Sequence, residues 1–109
     1  MLPPPDFLKG TLSTIILSLL KEQGKMYGYE ICQLTKSLSN ETITISEGSI
    51  YPALHKLEKQ GLITSSKELY NGRMRKYYSL NVKEKATVVH QINALHQFLN
   101  GMKLVLQSK

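Results

Sequence analysis

Residues 46–80 read SEGSIYPALHKLEKQGLITSSKELYNGRMRKYYSL, and that stretch contains two elements. Ser46 is a good N-cap, Glu47 suits the positive end of a helix, and Gly61 suits the left-handed residue that closes one. The spacing therefore predicts a helix over 46–60. On a helical wheel Ile50, Leu54 and Leu57 share one face, the one to be buried. Ser49, Pro52, His55, Lys56 and Lys59 fall on the remaining surface, which is polar and basic. Pro52 has no N–H to offer the Gly48 carbonyl, so a bent or loosened first part of this helix is expected. Leu62 to Leu69 and Met74 to Leu80 read as strands, and Asn71-Gly72 between them tolerates the positive φ that a tight hairpin turn demands. Arg73, Arg75, Lys76 and Lys67 crowd around that tip, while Tyr78 and Leu80 share a face able to anchor the hairpin to a core. A short helix with a basic outward face, followed at once by a basic hairpin, is the layout of a winged helix-turn-helix.

Upstream, Pro3-Pro4-Pro5 imposes an extended start. Asp6 or Thr11 can then cap a first helix whose apolar face is Leu8, Leu12, Ile15, Ile16, Leu19 and Leu20, and Gly24 ends it. A second helix is expected from Tyr27 to about Ser37, burying Ile31 and Leu34. Thr42 to Ile45, in which isoleucines alternate with threonines, reads as one very short strand. Downstream, Asn81 with Glu84 resembles a capping box that opens a last helix running nearly to residue 109. Along it Val88, Ile92, Leu95, Leu99, Met102 and Leu106 are spaced alternately by four and three, an a/d seam on a helix about 38 Å long. A chain of 109 residues makes one small domain, and a seam of that length is most simply matched by a second copy. Packing back along the first helix is the competing arrangement, and the two are not exclusive. Gly101 weakens this helix by about 1 kcal/mol and suits a close crossing.

The net charge is +6, and its surplus is local. Residues 1–45 balance, whereas between Ser46 and Lys85 eight basic residues face four acidic ones, so a polyanionic partner is expected where the helix and hairpin lie. Cys32 is alone, which excludes a disulfide within one chain and a cysteine-based zinc site. No signal-like opening and no apolar run of about 18–20 residues is found, so a cytoplasmic location is expected. His55, His90 and His96 are scattered, and the chain has no paired-carboxylate cluster, phosphate-cradling glycine loop or nucleophile motif. An enzyme is therefore not expected, and neither a cofactor nor a metal is implied. A winged-helix module for protein–protein contact, without sequence-specific DNA binding, is the alternative, since a fold does not fix its use. The basic outward face and basic tip argue against it.

Leu8-Lys9-Gly10-Thr11-Leu12, Tyr27-Gly28-Tyr29-Glu30, Ser46 to Leu54, Leu57-Glu58 and Asn71 to Tyr78 together resemble the PadR family of bacterial transcriptional regulators, in order and spacing over residues 8–80. The single helix after Leu80 looks like the family's short subgroup. The resemblance implies a homodimeric repressor in the bacterial cytoplasm that binds double-stranded DNA, in some members until a small-molecule effector releases it. Some members stack flat drugs on tryptophans at the dimer centre; this chain has no Trp, so that pocket does not carry over, and Phe98 is the only phenylalanine of the last helix.

The fold expected is thus mainly α with a small β-hairpin wing (α+β): a winged helix-turn-helix DNA-binding domain over 1–80 and a C-terminal dimerisation helix over 81–109. In the expected complex the 46–60 helix lies in the major groove, with Ser49, Pro52, His55, Lys56 and Lys59 towards bases and phosphates. Tyr51 either contacts a phosphate or packs, and Tyr27 reaches a phosphate beside the amides of the second helix. Asn71, Gly72, Arg73, Arg75 and Lys76 form the gripping wing. Were Lys56, Lys59, Arg73, Arg75 and Lys76 all on phosphates, a dimer would show a log–log salt slope of roughly −9.

Overall fold

The computed structural model describes residues 6–108, so the Pro3-Pro4-Pro5 start lies outside the described residues. Helix α1 (Asp6–Gln23) leads through Gly24, at φ +88°, into a short strand β1 (Lys25–Tyr27) and helix α2 (Gly28–Leu38). Helix α3 (Glu47–Lys59), strands β2 (Ile63–Tyr70) and β3 (Arg73–Leu80), a 3-10 turn (Val82–Glu84) and helix α4 (Lys85–Gln107) follow. Thr11 is inside α1, where its hydroxyl donates to the Phe7 carbonyl at 2.9 Å, so it caps nothing.

The sheet is antiparallel in the order β1-β3-β2. Its third strand is Lys25–Tyr27, which pairs with Tyr77–Ser79 on the open edge of β3; the strand expected at Thr42–Ile45 does not form. Two features stop it. Asn40 and Glu41 take positive φ, and the Ser39 side chain binds the Ile43 amide while the Thr42 hydroxyl donates to the Ser39 carbonyl, which folds the segment on itself. Its isoleucines still serve the core: Ile45 is buried and Ile43 packs against it.

The core is one cluster, built from Leu12, Ile16, Leu17, Leu19 and Leu20 of α1, Ile31 and Cys32 of α2, and Ile50, Leu54 and Leu57 of α3. Met26, Ile63 and Tyr78 of the sheet close it. Tyr78 is fully buried and Leu80 partly so, which fixes the hairpin to the helices as its sequence implies. α3 runs unbroken through Pro52, leaving the Gly48 carbonyl without its helical partner on an exposed turn. Ser46 caps through its backbone: its carbonyl accepts from the Ser49 and Ile50 amides, while its hydroxyl donates to the Ser49 hydroxyl at 3.1 Å. Gly61, at φ +80°, ends the helix.

Asn81 does not make the expected capping box with Glu84. Its side chain accepts from the Lys83 amide and donates to the Gly61 carbonyl at 2.9 Å, joining the end of the hairpin to the end of α3. α4 then divides. Val88 lies in the protomer's own core, so of the seam residues it is unavailable to a partner. Ile92 packs on that core, and the Gln91 amide donates to the Thr14 hydroxyl at 3.0 Å. Beyond His96 every residue up to Ser108 is exposed, including Leu99, Met102 and Leu106. Packing back on α1 thus holds for the first half of the helix only. No helix among the described residues is long and apolar enough to cross a membrane.

Candidate nucleic-acid interface

With Ile50, Leu54 and Leu57 facing inward, α3 presents Pro52, His55, Lys56 and Lys59 to solvent, and Ser49 half-exposed between them. Lys56 and Lys59 make no ion pair among the described residues. Cations in that condition are available to an incoming polyanion without first breaking a bond.

The wing ends in the Asn71-Gly72 turn, whose φ values of +50° and +77° are those a two-residue hairpin loop needs. Arg73 is exposed at the tip and, like Lys67, has no ion-pair partner among the described residues. Leu69 and Met74, cross-strand partners beside the turn, are 72% and 60% exposed; as ordinary strand residues they gave no warning in the sequence that they would stand in solvent.

Other members of the expected site are engaged elsewhere. Lys76 stands 3.5 Å from the Glu58 carboxylate of α3, which also accepts a hydrogen bond from the Ser65 hydroxyl. Arg75 is half-buried, its guanidinium carbon 4.3 Å from the centre of the Tyr27 ring and 4.6 Å from that of Tyr70. Tyr27 in turn meets Tyr77 edge-on at 5.4 Å and donates its backbone N–H to Glu30 at 3.0 Å. Tyr51 packs on the start of α2: a Cβ on Gly28 would come within 2.8 Å of its ring, so a larger residue there would displace the ring, and burial raises the pKa of its hydroxyl. Packing on α2 leaves 39% of Tyr51 exposed.

The Ser65 hydrogen bond, and after it the Lys76 charge, hold the Glu58 carboxyl below the usual glutamate range against an opposing effect of burial. A lowered folded-state pKa contributes stability that is fully present above the unfolded value of about 4.3 and is lost as pH falls through the folded one. Glu58→Gln is therefore expected to unfold at lower urea than the parent at pH 7, with the gap closing below about pH 4. A gap that persists in acid would assign the effect to packing instead.

Among the described residues no group of three or more His, Cys, Asp or Glu side chains is placed to hold a metal. Beside α4, a cavity of about 260 Å³ opens between α1, the end of α2 and α4, lined mainly by apolar side chains with Thr14, Ser18 and His96 among them.

A three-helix unit whose third helix turns a basic face outward, followed by a two-stranded basic wing, defines the class of winged helix-turn-helix proteins. Within it the chain belongs to the PadR-like family of transcriptional regulators, whose family model matches residues 16–88. A transcriptional regulator from Clostridium thermocellum is 30% identical, with 96% of this chain and 100% of that one aligned at a TM-score of 0.79. A PadR-like transcriptional regulator from Bacillus cereus is 28% identical over 96% and 100% of the two chains, with a TM-score of 0.78. The transcriptional regulator Rv3488 of Mycobacterium tuberculosis is 34% identical over 64 residues, 59% of this chain and 60% of its own length.

Proposed function

We propose that this transcriptional regulator is a homodimeric repressor that binds an inverted-repeat DNA operator through α3 and the wing. The single observation that carries the reading is the division of the surface. Lys56, Lys59 and Arg73 stand exposed and without ion pairs among the described residues on α3 and the wing tip, while the bare apolar half of α4 offers a second copy its seam. Residues 1–80 act as the DNA-binding unit and 81–109 as the dimerisation unit, although Val88 places the two on one core.

In this reading α3 enters the major groove and the wing tip follows the neighbouring backbone. Two-fold symmetry places the half-sites one helical turn, about 34–36 Å, or a multiple of it, apart. With Arg75 and Lys76 already engaged, Lys56 and Lys59 of α3 and Arg73 of the wing tip are the expected phosphate contacts that stay free, and counting those three in each protomer brings the expected salt slope from roughly −9 to roughly −5. The wing supplies affinity, and His55 and Ser49 supply choice of site, Ser49 from a hydroxyl already held by Ser46. A small-molecule effector would enter the cavity beside α4 and act by moving that helix.

Selection of duplexes from a random pool is the test. The parent should enrich one inverted repeat. His55→Ala should enrich a repeat altered at one or two positions per half-site, each worth about 1–3 kcal/mol of discrimination. Enrichment of no sequence at all, from a pool the protein nonetheless retains, would remove the operator from the proposal.

A further inference from the structure

Arg73 and Arg75 stand two residues apart on β3 and so point to the same face of the hairpin, yet their surroundings differ. Arg73 is exposed at the tip. Arg75 lies over both the Tyr27 and the Tyr70 ring, whose centres are 6.5 Å apart. The strand register shows what that contact spans. Pairing between β1 and β3 ends at Tyr27 opposite Tyr77, so beyond that point the wing is a two-stranded ribbon ending at the Tyr70–Arg73 pair. A two-stranded hairpin has little stability of its own. Tyr27 stands at the end of the three-stranded part and directly before α2, and Tyr70 stands at the turn. The Arg75 guanidinium lies over both rings.

We infer that Arg75 is a positioning residue, a brace that ties the free part of the wing to the β1–α2 junction and holds the tip at a fixed angle to α3, and that it does not itself neutralise a phosphate. A planar guanidinium lies against aromatic rings with its charge spread over several atoms, where an ammonium is a compact, strongly hydrated point charge. The opposite face of the hairpin carries a matching brace, the Lys76–Glu58 pair with its Ser65 hydrogen bond. Lys25 adds a third from β1, pairing with Glu68 of β2 at 2.7 Å. Three cations of the wing region are thus committed to its shape, and among the described residues of the hairpin Arg73 at the tip and Lys67 on β2 are without an ion pair. The contribution of this brace to DNA binding rests on the function proposed above; the brace itself does not.

Two readouts on the full chain separate these. Hydrogen–deuterium exchange without DNA should show amides of residues 66–76 exchanging faster in Arg75→Ala and Arg75→Lys than in the parent. Arg73→Ala and Tyr70→Phe, which leave the stack in place, should match the parent. With duplex DNA, Arg75→Ala should bind about tenfold more weakly with an unchanged salt slope, and Arg75→Lys, which keeps the charge, should lose nearly as much. Arg73→Ala should instead flatten the slope by about 0.9 per protomer. Unchanged wing exchange in both Arg75 variants overturns the brace. A slope flattened in Arg75→Ala as in Arg73→Ala overturns its restriction to positioning and makes Arg75 a phosphate ligand. Altered exchange in a protein whose parent binds no duplex would support the brace and sink the DNA-binding reading.

Discussion

Replacing Leu99 and Leu106 together with glutamate is expected to split the proposed dimer into folded monomers that bind the proposed operator at least about a hundredfold more weakly. Leu99 is 47% exposed and Leu106 76% exposed in the single protomer, so neither contributes to the protomer core, and the variant's own fold is expected to survive. In the proposed dimer a second copy buries them, at roughly 1.5–3 kcal/mol for each fully buried leucine. Carboxylates at those positions lose that gain and add like charges facing one another across the seam. The exposed apolar stripe of α4 is also wider than its four-three spacing implies. Phe98 and Val105 flank Leu99, Met102 and Leu106 on adjacent positions and are themselves exposed, which gives a stripe broad enough to meet more than one partner helix. Light scattering at micromolar protein decides the point: a persistent dimer in the double variant would move the interface away from α4.

Removing Lys56, Lys59 and Arg73 together by alanine substitution should weaken DNA binding by roughly a thousandfold near physiological salt and take roughly 5 units out of the salt slope. The estimate counts three cations in each of two protomers at about 0.9 per phosphate. All three are exposed and unpaired among the described residues, so the thermal midpoint should stay close to the parent's. That combination, intact folding with lost affinity, distinguishes this face from Lys76, whose removal would also release Glu58. A triple variant that keeps the parent's slope would show that DNA, if bound, lies elsewhere on the protein.

Where a feature depended on periodicity or on backbone restriction, the sequence was a sufficient guide. The buried stripe of α3, the Asn71-Gly72 turn and the anchoring of the wing by Tyr78 follow from spacing and from the few residues that accept positive φ. β1 was not legible, because three residues between two helices carry no alternation of their own and become a strand only through the open edge of β3. Thr42–Ile45 has the alternation, but the positive φ of Asn40 and Glu41 and the hydrogen bonds to Ser39 fold the segment on itself. The site shows the same division. Exposure of Lys56 and Lys59 is a matter of helical phase and could be read in advance. That Arg75 is stacked and Arg73 free depends on where Tyr27 and Tyr70 meet in space, 43 residues apart along the chain, and no local pattern encodes it. The loss of Val88 from the dimer seam has the same origin, since only the packing of α4 on α1 decides which half of the helix is already occupied.

The most direct test is a fluorescence-anisotropy titration of the protein with the duplex upstream of its own gene and with a shuffled duplex of equal composition, each at two salt concentrations. The account predicts tighter binding to the native duplex that survives at the higher salt, with a slope near −5. Failure to bind either duplex at the lower salt would contradict it and favour a winged helix that recognises another protein.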